Sequence, residues 1–268
     1  LHDALPIYSR SPALHGYWLR RYGLPGHYVP LDVAPADFET TLRMLPKIGF
    51  VGVNVTIPHK ESLLRIADIV TDRAALIGAA NTVIFRKDGK IHADNTDGLG
   101  FIANLRQSAP DWRASAGPAA IFGAGGAARA VVAALLEVGV PELRIANRTR
   151  MRAESLRSDF GAKVVVYDWT QAAQMVDGAS TVVNTTSLGM TGKVDFGVPL
   201  DLLAPGALAT DLVYTPLKTA FLIEAEARGA RIVDGLGMLL HQAAPGFERW
   251  FGQKPEVDAE TRRVVLSA

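Results

Sequence analysis

Between Ala119 and Arg152 the chain reads AAIFGAGGAARAVVAALLEVGVPELRIANRTRMR, and few folds accommodate that order of residues. Ala119 to Phe122 is a short apolar run of the kind buried in a parallel sheet, and it stops at Gly123, Gly125 and Gly126 where an apolar helical pattern begins. Strand, glycine turn and helix in that order predict a dinucleotide-binding unit. Gly123, Ala124, Gly125, Gly126, Ala127 and Ala128 fit the G-x-G-x-x-G/A form, with alanine at the last small position. Gly123 permits the tight turn, Gly125 admits a pyrophosphate close to the backbone, and Ala128 lets the helix lie near the strand. The helix N-terminus then offers N–H groups and a partial positive charge to the phosphates.

A second apolar run, Leu143 to Ala146, ends at Asn147, about twenty residues past the loop, where an NAD-binding chain usually carries Asp or Glu for the ribose 2′-hydroxyl. Here the residues are Asn147, Arg148 and Thr149, with Arg152 one helical turn on. Guanidinium and small polar groups suit a 2′-phosphate, so the expectation is NADP. The alternative is that Arg148, Arg150 and Arg152 form a solvated basic face. Cations at a helix N-terminus are unfavourable unless an anion binds there, which weighs against it.

Composition narrows the classes. The 268 residues suffice for two domains, and hydrophobic residues make up 49% of them with no charge-free run long enough to span a bilayer. A formal charge of +1 leaves no electrostatic footprint for nucleic acid or membrane. With no cysteine, disulfides and thiolate catalysis are excluded, and the six histidines show no ligand spacing, so no metal is expected. LHDAL at the start lacks the pattern of a signal peptide, and the cytoplasm is the expected location.

Along the rest of the chain, Ser11-Pro12 reads as a helix start with a capping hydroxyl and Gly23 as its stop. An extended stretch follows near Tyr28 to Val33, then a helical pattern from Ala36 to Leu45, and then the β-branched run Val51 to Val55. This alternation predicts a parallel or mainly parallel sheet. Polar residues crowd three places, Thr56 to Lys60, Gly78 to Val83 and Asn95 to Gly98, each expected to follow a strand-like segment, with a hairpin signalled at Lys87-Asp88-Gly89. Ser108 to Pro118 reads as a linker, and Lys163–Tyr167, Thr181–Asn184, Ala207–Val213 and Arg231–Val233 as further strands of the nucleotide sheet. A nicotinamide enzyme needs a group that gives or takes a proton at the reacting oxygen, and Lys60 with Asp97 are the candidates. Lysine can hand a proton to a developing alkoxide, and a carboxylate would hold the ammonium in place.

N-V-T-I-P-H-K at Asn54–Lys60, G-A-x-N-T at Gly78–Thr82, N-T-D-G at Asn95–Gly98, G-A-G-G-A at Gly123–Ala127, N-R-T at Asn147–Thr149 and D-G-L-G-M-L-x-x-Q at Asp234–Gln242 occur in one order. Together they resemble the shikimate dehydrogenase family, in which NADPH reduces 3-dehydroshikimate to shikimate on the way to chorismate and the aromatic amino acids. The resemblance implies two α/β domains with a cleft between them: a substrate domain of residues 1–97 and 238–268, and a Rossmann-like NADP domain of residues 98–237. It makes Lys60 the acid/base and Asp97 its partner, with Thr56, Asn81 and Gln242 on the ring hydroxyls. Ser9, Ser11 and Tyr214 would take the substrate carboxylate. Val213 and Gly235 would lie along the nicotinamide, Gly123 to Ala127 under the pyrophosphate, and Asn147, Arg148, Thr149 and Arg152 around the 2′-phosphate. A small-molecule substrate and a monomer or homodimer complete the expectation. The family pattern P-I-x-H-S-x-S-P is met by Pro6 to Pro12 one residue shorter and without the histidine. An altered first strand ahead of Ser9 is therefore expected, weakening carboxylate binding more than NADP binding. A quinate/shikimate dehydrogenase and a non-catalytic NADP-binding regulator of the same fold are the alternatives.

Overall fold

The computed structural model describes residues 9–268, so the expected first strand ahead of Ser9 lies outside the described residues. The chain divides into two units. The first runs to Gly100 and resumes at Leu240–Ala268, and the second is Phe101–Leu239.

In the first unit, α1 (Ser11–Arg21) is followed by the irregular segment that carries Tyr28 to Val33 and by α2 (Phe38–Met44). Strand β1 (Gly52–Asn54) leads into α3 (Ser62–Ile66), β2 (Ile69–Val70), α4 (Asp72–Ile77) and the hairpin of β3 (Thr82–Phe85) and β4 (Ile91–Asp94). Helix α5 (Asp97–Ser108) begins in this unit. The sheet order is β1-β3-β4-β2. The expectation of a mainly parallel sheet fails here: β3 is antiparallel to both β1 and β4, and only β2 pairs in parallel with β4. The tight turn at Lys87-Asp88-Gly89 is the cause, because so short a connection returns the chain antiparallel. A second correction follows. Asn81 and Thr82 stand at the start of β3 rather than after a strand, since the preceding element is α4. Antiparallel pairing still delivers them to the right end, for Thr82 registers with Asn54 on one side and Asp94 on the other. Phe38, Leu42, Leu63, Val83 and Ala93 form the core beneath.

The second unit holds β5 (Ala119–Phe122), α6 (Gly126–Glu137), β6 (Leu143–Ala146), α7 (Arg150–Phe160), β7 (Val164–Tyr167), β8 (Thr181–Asn184), β9 (Leu208–Asp211), α8 (Ala220–Ala227) and β10 (Arg231–Val233). Helix α9 (Leu236–Phe251) starts there and ends in the first unit, which α10 (Ala259–Leu266) completes. All six strands are parallel in the order β10-β9-β8-β5-β6-β7, the doubly wound arrangement whose order reverses between β5 and β8. Residues alternate across it: Ala119 and Ile121 join the cluster containing Val131 and Leu135, while Ala120 and Phe122 join that of Met175 and Phe221. Both faces are therefore buried, which is why these strands read as unbroken apolar runs. Among the described residues no helix is long and apolar enough to cross a membrane.

Candidate active site

In the first unit the ends of β1 and β4 and the start of β3 bring the three polar segments together. Lys60 Nζ donates to Asp97 Oδ2 at 2.6 Å, with the carboxylate side chain only 8% exposed. A charge pair so short and so poorly hydrated is stable only if its remaining lone pairs are satisfied. Asn81 does this, donating from Nδ2 to Asp97 Oδ1 at 2.8 Å, while the Asp97 backbone N–H is accepted by Asn95 Oδ1 at 3.0 Å. The second Asn81 N–H goes to Gln242 Oε1 at 3.0 Å, and Asn81 Oδ1 accepts from Thr82 Oγ1, Thr96 N and Thr96 Oγ1 at 2.9, 2.9 and 3.1 Å. Both amide protons are thus engaged, which makes Asn81 first of all the residue that orients Asp97. The segment carrying Lys60 is fastened to the same strand end, since Ala80 N donates to the Lys60 carbonyl and Val55 N to that of Asn81.

Lys60, Asn81, Asp97 and Gln242 are therefore brought into one hydrogen-bonded group, while Thr56 is exposed in the turn after β1. Ser9 and Ser11 lie together, but not as expected. Arg10 occupies the cap position of α1 without a side-chain capping bond, its guanidinium donating instead to Val265 O at 2.7 Å, and Ser9 Oγ accepts the Ser11 N–H at 3.2 Å. The expected capping role of Ser11 is corrected: it is the first residue of α1 and sits inside the first turn. Two supports escaped the sequence reading. Asp94, 3% exposed, is clamped by both Arg73 Nη2 contacts at 2.9 Å and by Thr71 Oγ1 at 2.8 Å, which holds the end of β4. Asn54 accepts from Tyr28 Oη at 2.9 Å. An asparagine inside a β-branched strand was the available signal for the second; for the first there was none.

In the second unit Gly123 has φ +109°, and a side-chain carbon there would lie 2.6 Å from Thr185 Oγ1, so the turn accepts glycine alone. Gly125 caps α6, and added carbons at Gly125 and Gly126 would meet nothing within 4 Å, leaving open space over the helix N-terminus. Ala128 is fully buried where α6 meets the sheet. This is a cradle that fits a pyrophosphate. At the end of β6, Asn147 Nδ2 donates to Thr149 O at 2.9 Å. Arg150 is committed to Asp168 at 2.7 Å and Glu154 at 2.9 Å. Arg148 and Arg152 are exposed and, among the described residues, form no ion pair.

On the far side of the switch point Asn184 donates to Asp211 Oδ1 at 3.0 Å and accepts from Thr186 N and Oγ1 at 3.0 and 2.7 Å. Asp211 also accepts from Thr219 Oγ1 at 2.6 Å and from Val213 N at 2.9 Å. Burial pushes the Asp211 carboxyl up to about 6, because these three hydrogen bonds from neutral groups offset desolvation only in part. Val213 is buried just beyond it, and Tyr214 follows half-buried. Gly235 precedes α9 with room for no side chain, the nearest atom being Leu212 O at 2.5 Å from an added carbon. The Asn184–Asp211 pair and its support of the Val213 backbone escaped the sequence reading, for which a polar residue at the end of each of two apolar strands was the available signal.

A family model described as the shikimate dehydrogenase substrate binding domain matches residues 5–83, one for shikimate/quinate 5-dehydrogenase matches residues 107–190, and one for the shikimate 5′-dehydrogenase C-terminal domain matches residues 235–260. A shikimate dehydrogenase (NADP(+)) of Cereibacter sphaeroides is 72% identical over 97% of this chain and 93% of its own length.

The chain belongs to the shikimate dehydrogenase family.

Its relative in Paracoccus denitrificans, named in the same way, is also 72% identical, over 97% of this chain and 92% of that one. Among solved structures of the family, Thermus thermophilus shikimate 5-dehydrogenase in complex with NADP(H) and shikimate superposes with a TM-score of 0.87 at 36% identity, covering 97% of this chain and 95% of that one. Quinate dehydrogenase from Corynebacterium glutamicum in complex with NAD gives 0.90 at 30% identity, covering 100% and 96%. Family membership and the two α/β units agree with the expectation from sequence, while the backbone likeness alone does not separate shikimate from quinate.

Proposed function

We propose that the protein catalyses the reversible, NADPH-dependent reduction of 3-dehydroshikimate to shikimate, with Lys60 as the acid/base. The observation that carries this reading is the Lys60–Asp97 pair at 2.6 Å, held by Asn81 and Gln242 at the converging strand ends. NADPH supplies the hydride. Lys60 Nζ gives its proton to the C3 oxygen, and the Asp97 carboxylate keeps the ammonium aimed and steadies its charge before transfer. Asn81 fixes the other Asp97 oxygen, so that the pair does not rotate away from the substrate. A ring hydroxyl reaching Asn81 would take the place of Gln242 Oε1, after which Gln242 and Thr56 share the hydroxyls. Ser9, Ser11 and Tyr214 receive the carboxylate. Gly123 to Ala127 take the pyrophosphate, Val213 and Gly235 flank the nicotinamide, and Asn147, Arg148, Thr149 and Arg152 take the 2′-phosphate. Two uncommitted arginines with no acidic residue beside Asn147 support NADP over NAD. A monomer or homodimer in the cytoplasm completes the reading.

The test is the rate of NAD(P)H formation with shikimate or quinate and with NADP or NAD, in all combinations, for the protein and for Lys60→Ala. Turnover is expected with shikimate and NADP, and Lys60→Ala is expected to lower kcat by about 10²- to 10⁴-fold while substrate affinity stays near that of the unaltered chain. A preference for quinate or NAD, or a Lys60→Ala variant with full turnover, would overturn the corresponding part.

A further inference from the structure

Asp211 closes β9 fully buried and, among the described residues, forms no ion pair. A carboxylate placed so costs stability, and an amide or a hydroxyl would sit there at lower cost. What the carboxylate supplies is acceptor capacity with no proton of its own. Oδ1 accepts from Asn184 Nδ2 at 3.0 Å and from Val213 N at 2.9 Å, and Oδ2 accepts from Thr219 Oγ1 at 2.6 Å. These donors stand at the end of β8, in the turn after β9 and at the cap of α8, so one side chain joins three segments.

The two loops that meet at this carboxylate are held unequally. After β8, Asn184 Oδ1 accepts from Thr186 N and Oγ1, Thr186 Oγ1 accepts from Leu188 N, and Thr185 Oγ1 donates to Phe122 O at 2.7 Å beside the glycine turn. That loop is closed on itself and on β5 by bonds in which Asp211 takes no part. After β9, Leu212 N donates to Asn184 O at 3.0 Å, and the Val213 N–H has Asp211 as its acceptor. Removing the carboxylate therefore loosens the Val213 turn and spares the pyrophosphate cradle. Gly235 follows the same turn, since an added carbon there would stand 2.5 Å from Leu212 O and 2.8 Å from Asp211 O. Backbone lies on backbone at that point, and close packing passes the motion of one to the other.

We propose that Asp211 is a positioning residue for the nicotinamide half of the cofactor, fixing the Val213 turn and through it Gly235, while the adenosine half is held independently of it. The proposal rests on the reading of Val213 and Gly235 as the neighbours of the nicotinamide. With its pKa at about 6, the carboxyl is ionised at neutral pH, and both oxygens are then acceptors with no proton to misplace. Orientation is what such a turn contributes, because a misplacement of about 1 Å at a reacting centre costs on the order of 10²-fold in rate.

The experiment is equilibrium binding of NADPH and of 2′,5′-ADP, which carries the 2′-phosphate and no nicotinamide, to the protein, Asp211→Ala and Asp211→Asn. The emission of bound NADPH is followed as well, because it reports the surroundings of the reduced ring. Asp211→Ala is expected to raise Kd for NADPH about tenfold, the scale of one hydrogen bond to a charged acceptor, and to return the emission toward that of free NADPH. Its Kd for 2′,5′-ADP should stay unchanged. Asp211→Asn should remain within about threefold of the unaltered protein, since its Oδ1 still accepts from Val213 N while its Nδ2 donates to Thr219 Oγ1. Equal loss on both ligands in Asp211→Ala, no loss on either, or an asparagine variant as weak as the alanine one would overturn the inference alone. If the unaltered protein binds 2′,5′-ADP as tightly as NADPH and leaves the emission unchanged, the nicotinamide reading falls and takes the inference with it. If it binds neither, the NADP reading itself falls. Should Asp211→Ala unfold, Thr219→Val is measured instead: it removes the bond to Oδ2 and should raise Kd about threefold for NADPH only. No rise there, or a rise shared by 2′,5′-ADP, would overturn the inference.

Discussion

Gly100 lies in α5 where the backbone of α9 passes closest to it. A side-chain carbon built on Gly100 would stand 2.6 Å from both the backbone nitrogen and Cβ of Gln242, and 2.8 Å from its Cα. Carbon atoms pack best at roughly 3.5–4.0 Å, so Gly100→Ala must move one helix by roughly 1 Å. Two effects compete. Alanine in a helix interior gains about 1 kcal/mol over glycine. Overpacking against backbone, which cannot rotate aside, costs about 1–3 kcal/mol and should win. The same displacement acts on function, because Gln242 Oε1 holds Asn81 at 3.0 Å, and a shift of roughly 1 Å breaks a bond of that length. The Asn81 amide then loses one of its two acceptors and releases Asp97 from a fixed orientation. The variant is expected to melt below the unaltered protein and to show a KM for shikimate raised about three- to tenfold, the scale of one hydrogen bond, with KM for NADP unchanged. Thermal denaturation followed by circular dichroism and initial rates at varied shikimate would measure both. A variant that melts higher with the same KM would refute the argument, for helix propensity would then have outweighed the contact.

The remaining expectations concern charge. Asp211 has its folded pKa pushed up to about 6 by burial, so between about pH 4 and 6 the folded chain binds more protons than the unfolded one. Its contribution to stability should therefore fall as pH rises through that window, by on the order of 3 kcal/mol, and level off above it. Denaturant titrations of the protein and of Asp211→Asn at several pH values should differ by an amount that changes across the window; a constant difference would contradict the reasoning. Arg148→Ala and Arg152→Ala should each raise KM for NADP by about 10- to 100-fold without affecting KM for NAD, while Arg150→Ala, whose guanidinium is held by Asp168 and Glu154, should leave both nearly unchanged. Equal losses from all three variants would mean that the basic face acts only through its field.

The nucleotide-binding unit was legible in the chain itself. Ala119–Phe122, Leu143–Ala146 and Thr181–Asn184 are strands with the expected limits, because a parallel sheet covered on both faces demands uninterrupted apolar residues. The glycines after β5 were legible for a related reason: a turn with φ +109° leaves a sequence no alternative at Gly123. Lys60 and Asp97 could be named from residue type, since proton transfer beside a nicotinamide calls for few kinds of side chain, and Asn81 and Gln242 from the family resemblance. Their assembly was another matter. That β3 runs antiparallel, so that Asn81 meets Asp97 from the start of a strand, depends on how strands pair across the sheet, and local pattern carries no trace of pairing. The two-residue β2 is too short for any periodicity to mark it. Ser11 has the residue type of a helix cap, and only the folded chain shows Arg10 in the cap position and Ser9 Oγ accepting the Ser11 backbone N–H. Likewise nothing in the run of arginines separates Arg150 from Arg148 and Arg152 until Asp168 arrives from the end of another strand. Residue chemistry and local periodicity are properties of the chain, whereas hydrogen-bond partners and burial are properties of contacts between segments remote in sequence, and these exist only once the chain has folded.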